Sequence, residues 1–314
     1  MQYYIARRIL LMVPTLIGVS FGIFVLLRMV PGDTVDLMVQ NFGYAKTADD
    51  LREKLGYNDP IPVQYARWMG GVLTGDMGQS LWTKRTVTSE LRDRFPVTME
   101  VTIIAVLTSI LIAIPIGTLS GIWPDSKWDN IFRSFSVAGL SIPNFWLGTL
   151  IVVVPSVLFS LNVVTRYVPI WDDPVRNIKA LILPSLVLGF RLEGSLVRML
   201  RTSVLEVIRM DYTRTAYAKG LALPTVVGRH VLRNALLPSV TLVGVQIPVL
   251  LGGSAIIEVV FGLPGMGQLL INSIRQRDYV MVQSLTLVFA VIAMTVNLVV
   301  DLMYGWLDPR IRTS

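Results

Sequence analysis

Six stretches of this chain are each long and apolar enough to cross a lipid bilayer, which takes about 20 residues of helix. They run near Ile9–Val30, Val97–Ile122, Phe132–Leu161, Ile178–Leu200, Leu236–Val260 and Val280–Trp306. Lipid offers no hydrogen bonds to a bare backbone, so such stretches cross as helices that satisfy their own N–H and C=O groups. Composition agrees: 53% of the residues are hydrophobic and 16% charged, where globular chains carry about 25% charged. A disordered chain, a disulfide-rich secreted domain and a typical soluble enzyme are excluded. The expected fold is an all-α polytopic membrane protein. Pro14, Pro115, Pro184 and Pro248 fall inside spans, where neighbouring helices can absorb kinks. The third span is long and is expected to tilt or break near Pro143 or Pro155.

Scarce residues narrow the chemistry. With no Cys there is no disulfide, thiolate metal site or Cys nucleophile. His230 is the only His, so no multi-His zinc site can form. None of the six Lys follows a Gly, which removes the phosphate-cradling G-x-x-x-x-G-K-[ST] loop. If ATP drives this protein, another chain must hydrolyse it. The net charge of +7 fits basic cytoplasmic loops better than nucleic-acid binding.

Arg7 and Arg8 precede the first span and should hold the N-terminus in the cytoplasm. That span is too long for a cleavable signal core, and no A-x-A site follows it. Six spans return the C-terminus to the same side. The segments then cytoplasmic carry 13 basic residues, among them Lys127, Arg133, Arg198 and Arg201. The short outer loops carry 5: Arg166, Arg176, Lys179, Arg275 and Arg277. The long segment Pro31–Pro96 holds eight basic against nine acidic residues; long loops cross largely regardless of charge.

That 66-residue outer segment is too long for a simple connection and reads as a small extracytoplasmic subdomain. Lys46–Leu55 predicts a helix with Thr47 as N-cap and Asp49 and Asp50 in its first turn. Gly70–Gln79 is turn-rich. A second polar segment, 201–235, faces the cytoplasm. From Arg198 to Arg233 seven basic residues stand against Glu206 and Asp211. Val204–Lys219 has helical composition, Gly220 suits a left-handed helix end, and Pro224 suits the first turn of a second helix. In that helix Val227, Val231 and Ala235 recur every four residues, with Arg229 and Arg233 on another face. Such a basic helix–turn–helix is open to lipid headgroups, nucleic acid or a partner protein.

The strings in these segments carry a resemblance. "DYTRTAYAKGL" (Asp211–Leu221), followed by "RHVLRNALLP" (Arg229–Pro238), closely resembles the EAA loop of bacterial ABC importer permeases, in the dipeptide/oligopeptide/nickel branch. The opening "ARRIL…PTLIGVSFGIFVLLRMVPGD" (Ala6–Asp33) is similar to the first helix of that branch's B-type permease. "GDMGQS" (Gly75–Ser80), "RFPVTMEVT" (Arg94–Thr102), "EVVFGLPGMGQLL" (Glu258–Leu270), "RDYVMVQ" (Arg277–Gln283) and "DLMYGWLDPRIR" (Asp301–Arg312) continue it in family order. Where the general consensus begins Glu-Ala-Ala, this chain has Arg214, Thr215 and Ala216, with Gly220 as the fixed glycine.

The resemblance implies a transport subunit that is not itself an enzyme. It would form half of a pathway for peptides or related small solutes, beside a second homologous permease chain. Two ATP-binding cassette subunits would bind ATP and Mg, leaving no cofactor in this chain, and a solute-binding protein would deliver substrate from outside. The site would be the bacterial cytoplasmic membrane, with both termini cytoplasmic, membrane lipid around the spans and no nucleic-acid partner. ATPase coupling would fall on Arg214, Thr215, Ala216, Ala218, Lys219 and Gly220. The implied organisation is an N-terminal helix (1–30), an extracytoplasmic loop subdomain (31–96), a five-helix core (97–306) holding coupling loop 201–235, and a tail (307–314).

Charges inside the spans are a separate signal. Arg28, Glu100 and Glu258 lie near outer ends, where long side chains can reach the interface. Arg191 and Glu193 lie within the fourth span, where a charge costs roughly 2.5–3.5 kcal/mol on insertion scales. Two residues apart on a helix, they cannot face each other. They are candidates for the lining of a substrate path, with a structural ion pair as the alternative. An ion-coupled secondary transporter would call for an inverted repeat, and none is visible; a membrane scaffold would leave the EAA-like segment unexplained.

Overall fold

The computed structural model describes residues 2–32, 34–42 and 48–307. The helices are α1 (Gln2–Met29), α2 (Thr34–Phe42), α3 (Ala48–Lys54), α4 (Ile61–Thr74), α5 (Val87–Ile122), α6 (Lys127–Ser141), α7 (Asn144–Phe159), α8 (Pro174–Ile208), α9 (Asp211–Ala218) and α10 (Leu223–Val226). A π-helical turn (Val227–Val231) then leads to α11 (Leu232–Ala235), α12 (Leu237–Val260), α13 (Met266–Arg275) and α14 (Tyr279–Leu307). Among the described residues there is no β-strand, only an isolated bridge between Gln79 and Thr86. The all-α expectation holds. Thr47 and the tail residues 308–314 lie outside the described residues.

Among the described residues five helices are long and apolar enough to span: α1, α5, α8, α12 and α14. The third expected span is not one helix. It is the pair α6 and α7, bent by 98° at Ile142–Pro143. Proline's ring crowds the preceding residue out of the helical region, and Ile142 is extended at φ −84°, ψ 122°. Pro155 leaves α7 unbroken. With 36 and 35 residues, α5 and α8 are each about 50 Å long at 1.5 Å per residue. That exceeds the roughly 30 Å hydrocarbon core. Helix α5 begins ten residues before the expected Val97, so the last part of the expected outer loop is helical.

The described chain divides into two compact units, one gathering the residues up to Thr98 with Pro264–Leu298, the other Met99–Leu263 with residues 299–307. In the first, α1 meets α4 through an aromatic cluster. Tyr65 sits edge-on to Phe21 and Phe24, each at 5.3 Å, and Trp68 stacks on Phe24 at 5.8 Å. Helix α4 has no counterpart in the sequence reading; Gly70 and Gly71 continue it, and the turn comes at Gly75, φ +89°. A second core joins Val87 of α5 to Met266, Leu269, Met281 and Leu285 of α13 and α14. Polar contacts join segments 32–82 and 276–279. The Ser80 hydroxyl donates to the Asp278 carboxylate, Trp82 Nε1 donates to the Gln276 carbonyl at 3.0 Å, and Tyr279 donates to the Gly32 carbonyl at 2.6 Å. Burial pushes the Asp278 carboxyl up from its usual range, opposed by the Ser80 and Met281 hydrogen bonds.

In the second unit α8 is the centre. Asp173 caps its start by accepting from Arg176 N at 3.0 Å, and Pro174 fills the first turn, where no N–H partner is needed. The helix is buried along most of its length and packs on α6, α7 and α12. Where α6 crosses α8, a Cβ on Gly139 would come within 2.6 Å of the Phe190 carbonyl, and one on Gly194 within 2.6 Å of the Ser136 carbonyl. Small residues permit such approaches and so concentrate dispersion between helices in lipid. Ser109 and Ser185 add hydrogen bonds from α5 to α8, to the Gly189 carbonyl and from Ser185 to the Val101 carbonyl, both 3.1 Å.

Gly194→Val should therefore lower the unfolding midpoint of the detergent-purified chain, by a loss of about 1–3 kcal/mol for overpacking. Gly252→Ala, where a Cβ meets nothing within 4 Å, should leave it unchanged. Equal midpoints for both variants would contradict the crossing.

Candidate functional site

The polar segment after α8 folds as a compact knob. Helix α8 stops at Arg209, and the Thr213 hydroxyl donates to the Val207 carbonyl at 2.9 Å, beside the Met210 N–H. The chain then re-enters helix as α9. The expected single helix over Val204–Lys219 is thus two pieces, because Met210 adopts an extended conformation (φ −70°, ψ 151°) between them. Gly220 follows with φ +77°, its N–H donating to the Tyr217 carbonyl at 2.9 Å. Pro224 sits in the first turn of α10. Turn and proline are as read from the sequence.

One side of the knob is glued down. Ala216, Val226, Val231 and Ala235 pack on Val204 and Val207 of α8, with Ile122 of α5 and Ile208 against them. Val227, Val231 and Ala235 are buried while Arg229 and Arg233 are exposed, as the apolar spacing implies. Between them the chain makes a π-helical turn in place of regular α-helix.

The other side is open. Of the six coupling candidates, Arg214, Thr215, Ala218, Lys219 and Gly220 are exposed. Ala216 is not; it points inward and anchors α9. Thr215 turns its hydroxyl back to the Asp211 carbonyl at 2.8 Å. Beside these candidates stand residues that the sequence reading passed over: Met210, Tyr212, Tyr217, Leu221 and Leu223, all exposed. Large apolar side chains gathered on a basic, solvent-facing knob mark an interaction surface. The signal was present as side chains out of phase with the buried Ala216 and Val226.

Next to the knob lies an ion pair that sequence reasoning also missed. Arg201 of α8 grips Asp129 of α6 through both carboxylate oxygens, at 2.7 and 2.8 Å. Ser120 of α5 donates to the same carboxylate, and Asp125 N adds a bond at 2.9 Å. Asp129 is fully buried. Ser126 caps α6 by accepting from Asp129 N at 3.1 Å. The Ser126-x-x-Asp129 pattern, a helix-start signature, was the available clue.

The intramembrane charges separate. Arg191 is exposed, and Glu193 is buried with Oε1 lacking a hydrogen-bond partner. Neither forms an ion pair among the described residues. Glu100 accepts from Asn177 Nδ2 at 2.7 Å and Tyr167 at 3.2 Å. Glu258 corrects the expectation of an interfacial side chain: it is fully buried, and Ser254 donates to it at 3.2 Å. No cluster of three or more His, Cys, Asp or Glu able to hold a metal occurs among the described residues.

Gly220→Val should loosen the knob, because a β-branched residue resists positive φ at a cost of order 1–3 kcal/mol. A Cβ there meets nothing within 4 Å, so the strain is in the backbone alone. Amide exchange across 211–235 should quicken, and Gly220→Asn should be milder. Unaltered exchange in the valine variant would refute this account of the turn.

Comparison with known proteins accords with the membrane helices and the knob. A sequence model described as "Binding-protein-dependent transport system inner membrane component" matches residues 113–313. A second, for the N-terminal part of such membrane components, matches residues 1–102. The chain is 38% identical over 319 residues to the oligopeptide transport system permease protein AppB of Bacillus subtilis, covering 99% of this chain and 100% of that one. It is 36% identical to the dipeptide transport system permease protein DppB of Escherichia coli K12 and to the glutathione transport system permease protein GsiC of Pectobacterium atrosepticum, with 99% of each chain covered. This chain is a multi-pass membrane protein and belongs to the family of binding-protein-dependent transport system inner membrane components.

Proposed function

We propose that this chain is one of two transmembrane subunits of an ATP-driven importer for peptides or related small solutes, without enzymatic activity of its own. Its partners are a second permease chain, two ATPase subunits that bind ATP and Mg, and a solute-binding protein on the outer face. It lies in the cytoplasmic membrane with both termini inside. The relatives named for oligopeptide, dipeptide and glutathione transport support the substrate class. The observation that carries the coupling role is the two-faced knob. Its buried side is continuous with the core around α8, so a push on its open side moves helix rather than loop. A rigid body of this kind can bias an inward–outward equilibrium when a partner binds one state better.

The docking face is the exposed set Arg214, Thr215, Tyr217, Ala218, Lys219 and Leu221 around Gly220. Such a face would seat in a groove of the ATPase, with Tyr217 and Leu221 as apolar anchors and the basic residues at its rim. Tyr217→Ala with Leu221→Ser should lower co-purification of the ATPase at least about tenfold, about 1.4 kcal/mol or more of binding. Leu73→Ser, on the outer segment and 81% exposed, should not. Undiminished co-purification in the double variant would sink the docking assignment.

Arg191 and Glu193 are the pathway candidates. A buried carboxyl with an oxygen unsatisfied within its own chain is costly unless water or a neighbouring chain completes it. Both are available along a path between two permeases. Arg191→Met and Glu193→Gln should alter uptake, or its coupling to ATP hydrolysis, in reconstituted liposomes while assembly persists. Lost assembly would indicate a structural role, and normal uptake in both would exclude the path.

A further inference from the structure

The first unit holds a cavity of about 340 Å³ lined by Arg28, Val30, Gly32, Asp36, Tyr57, Asp59, Ile61, Gln64 and Tyr279. Its volume falls in the range of small-ligand sites, roughly 300–1,000 Å³. Arg28 belongs to the last turn of α1, at the end remote from Arg7 and Arg8. Its guanidinium is held in place. Nε donates to Gln64 Oε1 at 2.8 Å, Nη1 donates to the Phe24 carbonyl at 3.1 Å, and Cζ lies 3.3 Å from the centre of the Phe24 ring. Gln64 is itself fixed, its Nε2 donating to the Tyr57 carbonyl at 3.0 Å and the Asp59 carbonyl at 2.8 Å.

The charges around this cavity are unequally matched. Asp36 is paired with Arg52, and Asp59 with Arg67 at 2.7 Å. Arg28 makes no ion pair among the described residues, and its Nη2 makes no hydrogen bond among them. A guanidinium has five N–H donors in a fixed fork suited to phosphate or carboxylate. The cavity therefore presents an oriented, half-buried cation with no anion among the described residues. The rings of Tyr57 and Tyr279, 6.4 Å apart, line the same cavity as the two carboxylates. Aromatic faces and carboxylates together suit an ammonium group.

We propose that this cavity binds the headgroup of an aminophospholipid, its phosphate on Arg28 and its ammonium against Tyr57, Tyr279 and the Asp36 and Asp59 carboxylates. A peptide carries a similar pair of charges. The surroundings favour lipid. Leu26, Met29 and Val30, 60%, 71% and 47% exposed, form an apolar strip on the end of α1 beside the cavity, and Val30 lines it. An acyl chain would lie along that strip while the headgroup sits at the depth where a spanning helix ends. The proposal needs α1 to cross the bilayer and is independent of the ATPase reading above.

The test uses the complete transporter, delipidated in detergent and examined by native mass spectrometry. Phosphatidylethanolamine, phosphatidylglycerol or a dipeptide is added in turn. Phosphatidylethanolamine should be retained on this chain at least about fivefold better than phosphatidylglycerol, and Arg28→Gln should cut its retention about tenfold. Asp59→Asn should narrow the preference between the two lipids. Equal retention by Arg28→Gln, equal retention of both lipids, or displacement of lipid by the dipeptide would each overturn the proposal. The lipid comparison on the unmodified transporter needs no variant, so a poorly folding Arg28→Gln leaves the test intact. Co-purification of the ATPase is read separately and does not enter the outcome.

Discussion

Two glycines let α6 and α8 pass backbone against backbone, and the second unit is arranged around that contact. In lipid, helices gain nothing from hiding apolar surface from water; close packing and a few hydrogen bonds must hold them. Gly139 and Gly194 provide the first, with carbonyls where side chains would otherwise stand. Ser109, Ser185 and Asn144 provide the second, each bonded between helices. A helix enclosed in this way keeps its axis when force is applied at one end. On the coupling role proposed above, α8 would be the stiff shaft that a lever at its C-terminus needs.

The knob joins opposite demands. Its inner side is as apolar as a soluble core, with Val204, Val226, Val231 and Ala235 fully buried. Its outer side mixes arginine and lysine with tyrosine and leucine. The Asp129–Arg201 pair lies within a turn of Val204 along α8 and ties the neighbouring ends of α5, α6 and α8 together. Buried ion pairs add little net stability against an apolar substitute, but removing one partner is costly. Here the geometry is bidentate and the carboxylate has two further donors, so the junction holds one arrangement.

Much of this was legible in the sequence. Spans are read from apolar length, and five of the six fell where straight helices occur. The sixth failed at Pro143, where a local steric effect overrode a hydrophobic pattern that ran straight through it. Gly220 and Pro224 were legible because each has a backbone conformation that few other residues share. The segment 31–96 is read as a subdomain from its length alone; in the structure it shares one compact unit with α1 and Pro264–Leu298. Helix α4 is held by aromatic contacts to α1, and α13 packs on Val87 of α5, nearly 180 residues earlier; no local pattern encodes either. Ala216, named with the coupling residues, is buried; a motif specifies which residues matter, not which way they face. Arg201 was counted as a loop charge; its partner lies 72 residues earlier, beyond any periodicity.

That separation also bears on how the protein is made. Asp129 leaves the ribosome 72 residues before Arg201, which at 5–20 residues per second is roughly 4–14 s. Through that interval the carboxylate cannot meet the Arg201 guanidinium that holds it in the finished fold. Helix α6 therefore cannot take its final seat when it is first inserted, and the bend at Pro143 leaves α7 free to settle separately. Only when α8 arrives can Asp129 withdraw from water and the crossing at Gly194 close. The later helix thus completes the earlier pair: the seat of α6 waits on a helix made after it.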